Sequence, residues 1–137
     1  MPMYTTFETE IVIRPDDIDM NNHVHNSKYL DYVLAARYDQ MIKDYKFSME
    51  DFHKYGYNWV VSIASIEYKR ALKLTDKIIV KTRFDSYTGA QCKVNFWVEK
   101  KENGKIAAEG YIIYTMISIK TGRPVRIPEE LVKHYMV

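Results

Sequence analysis

The chain has 137 residues, 47% apolar and 28% charged, with a formal net charge of +2, the make-up of one soluble globular domain over 1–137. So small a charge does not build the basic surface that nucleic acid requires, and no apolar run approaches the ~18 residues of a membrane span. The lone cysteine, Cys92, excludes an intrachain disulfide and a cysteine metal cluster. With no signal-peptide pattern at the amino terminus, a reduced, cytoplasmic compartment is expected.

Residues 7–14 largely alternate, with Phe7, Thr9, Ile11 and Ile13 on one face, which predicts a strand that Pro15 ends. Residues 16–26 are rich in Asp and Asn and read as a loop. Asn26 or Ser27 can cap a helix over 27–46, about 30 Å long at ~1.5 Å per residue. Its apolar stripe is Leu30, Val33, Leu34, Arg37, Tyr38, Met41, Ile42 and Tyr45, and Lys43 and Lys46 suit its carboxyl end. Arg37 interrupts the stripe, as a structural ion pair or a packed stem. A short helix over 48–53 follows, capped by Ser48.

The pattern then becomes strand-like over 59–68, 77–85, 91–99 and 106–119. Ile78, Val80, Thr82 and Phe84 share a face in the second of these, and Cys92, Val94, Phe96 and Val98 in the third. Asn103-Gly104 reads as a type I′ hairpin turn, Gly110 as a bulge, 121–124 as a turn and 129–135 as a short helix. The twelve tyrosines suit a sheet and a subunit interface. A strand, a loop, a long helix and four strands joined mainly by short turns make an α+β chain. Its antiparallel sheet must bury one face, and the long helix is the only element able to cover it.

The chemistry concentrates in residues 14–30, where Asp16, Asp17, Asp19, Asn21, Asn22, His23, His25 and Asn26 precede a helix start. A helix start has unpaired N–H groups and partial positive charge, which suit a developing oxyanion. A carboxylate beside it can attack or activate water, with an imidazole and a carboxamide to assist. Asp also commonly serves loops and caps, the ordinary role expected of Asp17. His23-Val24-His25 lacks the third ligand that a zinc site needs, so no metal is expected. Cys92 reads as a small core residue, not a nucleophile.

The run Asp17-Ile18-Asp19-Met20-Asn21-Asn22-His23-Val24-His25-Asn26-Ser27-Lys28-Tyr29-Leu30 resembles the signature of the hotdog-fold thioesterases. Both the 4-hydroxybenzoyl-CoA thioesterase family and the acyl-carrier-protein thioesterases are similar to it. Ile66-Glu67-Tyr68-Lys69-Arg70 is similar to a second segment of those enzymes, on the strand after the helix. The resemblance implies a hotdog: an antiparallel sheet wrapped around the long helix. It implies hydrolysis of an acyl thioester, on CoA or acyl carrier protein, with no cofactor. Asp19 takes the role of catalytic carboxylate, assisted by Asn21 and His23, with the backbone N–H near Asn26 polarising the carbonyl. Tyr29 would line the pocket, and Lys69 and Arg70 would meet phosphates. The sequence departs from the family at Asn22 and His25, where relatives carry Gly and Asn. Ala71 and Leu72 stand near where the acyl-carrier-protein branch has an acid, leaving Glu67 as its substitute. A homodimer or homotetramer with the site at a subunit interface is also implied. The rivals are a hotdog dehydratase or hydratase and a non-catalytic acyl-thioester binding module.

Overall fold

The computed structural model describes residues 3–137, so Met1 and Pro2 of the stretch read above as lacking a signal peptide lie outside the described residues. Five strands form one antiparallel sheet: β1 (Thr6–Ile11), β2 (Tyr57–Tyr68), β3 (Ile78–Thr88), β4 (Gln91–Lys100) and β5 (Ile106–Ser118). Their order across the sheet is β1-β3-β4-β5-β2. The helices are α1 (Asn26–Lys43), α2 (Met49–Lys54) and α3 (Glu129–Val132). α1 lies against the sheet, touching β1, β2, β3 and β4, as the expected hotdog requires.

The alternation read in β3 and β4 sets the buried face. Ile78, Val80, Thr82 and Phe84 are buried, as are Cys92, Val94, Phe96 and Val98. These side chains alternate across the pleat, so one face of each strand points at α1 and the other outward. The helix buries Tyr29, Tyr32, Val33, Ala36, Arg37, Gln40 and Met41. The expected stripe is shifted around the helix, leaving Tyr38 and Ile42 exposed and turning Gln40 inward. Gln40 is satisfied there: its Nε2 donates to Thr9 Oγ1 at 3.1 Å, and its Oε1 accepts from Thr82 Oγ1. That amide joins α1 to β1 and β3, a connection that apolar periodicity does not reveal.

Three local expectations are corrected. The helix starts one residue early and is capped by His25, whose Nδ1 accepts the Ser27 N–H at 3.1 Å, rather than by Asn26 or Ser27. It also stops at Lys43, and Lys46 turns away with φ +56°. Between β4 and β5 only Gly104 takes positive φ, so the loop is wider than a two-residue type I′ turn. Lys100 N–H bonds Lys105 O across it, and Asn103 Oδ1 accepts the Lys105 N–H at 2.9 Å. Gly110 is no bulge: it stays in register with Ile66 and Phe96. It is needed for close approach, since a Cβ there would lie 1.7 Å from Ser65 O. The register shifts occur elsewhere, between Val61 and Ile63, Phe84 and Ser86, and Val98 and Glu99.

The loop before α1 is tied to the helix by one buried carboxylate. Pro15–Asp17 form a single 3₁₀ turn. Asp17 Oδ2 accepts the Tyr32 hydroxyl at 2.6 Å and the Arg14 N–H at 3.0 Å. Asp17 O accepts the His25 N–H at 2.9 Å, closing the loop at its far end. Burial pushes the Asp17 carboxyl up, but the Tyr32 and Arg14 hydrogen bonds outweigh it and hold the group below the usual aspartate value. Asp17 is thus a structural carboxylate.

Two outcomes test this frame. Gly110→Ala should destabilise the chain by about 3 kcal/mol, read from denaturant midpoints, because a backbone carbonyl in a paired strand cannot yield. Tyr32→Phe should cost about 2 kcal/mol at neutral pH through loss of a charge-assisted hydrogen bond. The Asp17 pKa is depressed on folding, so its contribution is present above the unfolded value of ~3.9 and is lost as pH falls through the folded value. The variant should therefore show a flatter loss of stability below about pH 4 than the native chain, measured by urea unfolding across pH.

Candidate active site

The segment from Asp19 to His23 is a tight loop flanked by an isolated bridge between Ile18 and Val24. Asp19 N–H bonds His23 O at 2.8 Å, and Asn22 N–H bonds Asp19 O at 3.1 Å. Asn22 sits at φ +62°, a backbone state that Asn tolerates better than most residues. This accounts for Asn where the resembling enzymes carry Gly.

The Asp19 carboxylate is half-buried. Its Oδ1 accepts the Asn21 N–H at 2.8 Å and lies 3.4 Å from the His23 N–H. Its Oδ2 accepts no hydrogen bond among the described residues. One oxygen thus holds the loop while the other accepts from no protein donor among the described residues. The loop-building role weighed for Asp and the chemical role fall on the same side chain. The two aspartates two positions apart differ in setting: Asp17 is buried and tied to α1 through the Tyr32 hydroxyl, whereas Asp19 is half-buried and lines the cleft.

A polar cleft of about 500 Å³ opens at the start of α1. Asp19, Asn21, His23, Asn26, Tyr29, Lys69 and Arg70 all line it. The Asn26 N–H is one of the helix-start donors with no intrahelical partner. The next two N–H groups are taken, Ser27 by His25 Nδ1 at 3.1 Å and Lys28 by His25 O at 2.9 Å. His25 capping therefore leaves the Asn26 N–H, in a residue on the cleft wall, without a protein acceptor among the described residues. His23 and Asn21 are exposed on the rim of the cleft.

Tyr29 forms the floor, buried, with its hydroxyl toward Arg70 O at 3.4 Å and its ring edge-on to Tyr68 at 5.2 Å. Burial raises its pKa, keeping it a neutral phenol. Arg70 commits one nitrogen to Ile106 O at 2.7 Å, which fixes its reach.

Glu67 is not brought to this cleft. It points to the other side of the chain, pairing with Lys69 at 3.2 Å, and Lys69 lies 3.6 Å from Glu109 as well. The reason is pleat alternation: Tyr68 faces the cleft, so Glu67 faces away. Within one chain Glu67 does not replace the acid that Ala71 and Leu72 lack. Tyr68 was the residue missed; it lines the cleft and donates to Asn26 O at 3.3 Å. Its signal was its central place in the second motif, Ile66 to Arg70.

A second cavity, apolar and of about 220 Å³, lies between α1 and the sheet, away from these residues. Cys92 is on its wall, with burial pushing its thiol up to about 12, so it is not a nucleophile at neutral pH. Among the described residues no helix is long and apolar enough to cross a membrane.

The sequence profile of the thioesterase-like superfamily matches residues 13–134. The chain is 24% identical over 124 residues to the long-chain acyl-CoA thioesterase FadM of Escherichia coli K12, covering 90% of this chain and 92% of that one. Among solved structures it is similar to the DHNA-CoA thioesterase of Staphylococcus aureus, at 25% identity and a TM-score of 0.81, covering 88% of this chain and 80% of that one. It also shares its fold with a Thermus thermophilus thioesterase complexed with coenzyme A and zinc, at 22% identity and a TM-score of 0.79, covering 98% and 95%. The profile covers nearly the whole chain, the motif residues around Asp19 lie inside it, and the fold is the hotdog of these structures; the chain belongs to the thioesterase-like superfamily.

Proposed function

We propose that the protein hydrolyses acyl-CoA thioesters, with Asp19 as the catalytic carboxylate. The observation that carries this reading is the juxtaposition of a carboxylate oxygen free of protein donors with an unclaimed helix-start N–H in one cleft. The thioester oxygen accepts from the Asn26 N–H, which draws charge from the carbonyl carbon. Asp19 Oδ2 either takes a proton from a water that adds to that carbon or attacks it directly and is then released by water. The C–S bond breaks, the thiol leaves with a proton, and the free acid remains. Asn21 and His23 on the rim orient the water or the carbonyl.

The choice of CoA rests on Lys69 and Arg70 at the cleft edge, which suit phosphate oxygens, and on the names of the similar enzymes. Acyl carrier protein offers acidic side chains to the same two cations and is the alternative carrier. A cytoplasmic setting fits a chain whose single thiol is free and buried.

The reading includes a homodimer. Among the described residues β2 pairs only with β5, so its other edge is open over a 12-residue strand. Val60, Val61 and Ile63 on this strand are 39%, 41% and 51% exposed, an unprotected edge of the kind that invites pairing. Two β2 edges joined about a two-fold axis would make one continuous sheet. The active site would then include side chains of both copies.

Thiol release from acyl-CoAs, acetyl to palmitoyl with an aromatic one added, tests the activity. Asp19→Ala and Asp19→Asn should each lower kcat/KM by about 100- to 10,000-fold. The asparagine keeps the Oδ1 acceptor for the Asn21 N–H, so its loop stays formed; full activity in that variant would sink the assignment. An acyl-carrier-protein substrate cleaved where no acyl-CoA is would move the carrier, not the chemistry. Binding without turnover of either would favour the binding module. Ile63→Lys should convert a dimer to a monomer in sedimentation equilibrium and lower activity with it; an unchanged dimer removes the edge pairing.

A further inference from the structure

The apolar cavity between α1 and the sheet holds a charge that the chemistry above does not use. Leu34, Met41, Met49, Trp59, Phe84 and Val132 supply its apolar wall, and Arg37 enters it from α1. Arg37 is buried, at 7% exposure, and its Nε and Nη1 donate to no protein group. No carboxylate lies within ion-pair distance of it among the described residues, so the expected structural ion pair is not formed.

Its neighbours are neutral. Its guanidinium carbon sits 5.2 Å from the Tyr45 ring centre and 5.6 Å from that of Tyr135. Burial raises the Tyr45, Tyr114 and Tyr135 phenols and the Cys92 thiol, more than the cation lowers them. None of them becomes an anion at neutral pH: the Tyr45 and Tyr114 hydroxyls turn a dipole to the guanidinium but supply no counter-charge. A guanidinium cannot shed its proton to relieve this. A buried charge with free donors and no counterion is strongly unfavourable unless something that enters the cavity supplies one.

We propose that this cavity receives the far end of the acyl group and that Arg37 selects acyl tails ending in a carboxylate. The inference rests on the thioesterase reading and specifies its substrate class. A cavity of ~150 Å³ accepts benzene. One of about 220 Å³ holds an aromatic ring with a substituent, or a chain of roughly six to eight carbons. A carboxylate there accepts both free N–H groups of Arg37 in the fork geometry that guanidinium favours.

Exposed Tyr38 and Val61 form the cavity's lip, beside the open edge of β2. Within one chain Arg37 lies three turns from the helix start, ~16 Å along the axis. In the edge-paired dimer, antiparallel β2 strands bring the Trp59 end of one copy beside the Tyr68 end of the other. The partner's cavity would then offer a second receptacle for a tail whose thioester sits at Asn26.

The test compares kcat/KM for the eight-carbon ω-carboxyacyl-CoA with that for octanoyl-CoA, on the native chain and on Arg37→Met. Methionine fills the space without a charge, and such exchanges are commonly tolerated or stabilising. The native chain should prefer the carboxylated thioester by about tenfold or more, and Arg37→Met should reverse that preference while still cleaving octanoyl-CoA. Equal or better cleavage of octanoyl-CoA by the native chain overturns the proposal, whether or not the variant folds. If neither thioester is cleaved, the thioesterase reading fails separately. Calorimetric titration with the free eight-carbon dicarboxylate then decides: binding by the native chain that Arg37→Met loses supports the cavity's role. No binding, or a thermal shift by chloride as large as by the dicarboxylate, overturns it.

Discussion

The seating of α1 on the sheet is the contact from which the other features follow. Val33 and Ala36 are wholly buried beneath it, as are Val80, Val94, Val98 and Ile112 on strands that cross it. Burial of this kind is worth ~25 cal/mol per Å² of apolar surface removed from water, and it is not directional. Direction comes from Gln40, which accepts from Thr82 and donates to Thr9 in the same interior. An apolar face alone would let the helix slide or rotate; a buried amide with both ends satisfied holds it at one register, since any shift leaves polar atoms unpaired. With α1 held, its first turn is held, and the cleft is built on that turn.

The loop before α1 shows how environment, not residue type, divides labour between aspartates. Asp17 gives one oxygen to the Tyr32 hydroxyl and the Arg14 N–H and its carbonyl to His25. Asp19 gives Oδ1 to the loop and keeps Oδ2 free. A carboxylate buried against a phenol is closed to substrate, and one on a cleft wall is open to it. His25 contributes in a similar way: by capping Ser27 and Lys28 it leaves Asn26 as the open donor.

Among the described residues, Arg37 departs from the rule that buried charges are paired. Ringed by tyrosines and a thiol that stay neutral, it stores an unfavourable electrostatic arrangement inside an otherwise apolar wall. Such arrangements survive where function uses them. Apolar periodicity marks Arg37 as an interruption, a structural ion pair or a packed stem, because the presence or absence of a partner for its head is not visible in one dimension.

Much of the fold and most of the cleft were legible in the order of residues. Alternation in β3 and β4 reports which face meets water, because side chains in a strand have a period of two whatever surrounds them. The polar run from Asp17 to Asn26 ahead of a helical stripe marks a helix start, a local property, and its Asp19, Asn21, His23, His25 and Asn26 line the cleft; of the second motif Lys69 and Arg70 reach it and Glu67 does not. What tertiary structure decided is what depends on neighbours distant in sequence. The parity of β2 turned Glu67 outward and Tyr68 inward. The close approach of Ser65 made Gly110 a contact point instead of a bulge. The packing of elements distant in sequence around Arg37 left its charge without a counterion among the described residues. Local sequence sets the periods and the caps; which side chains face one another is set by how the elements meet.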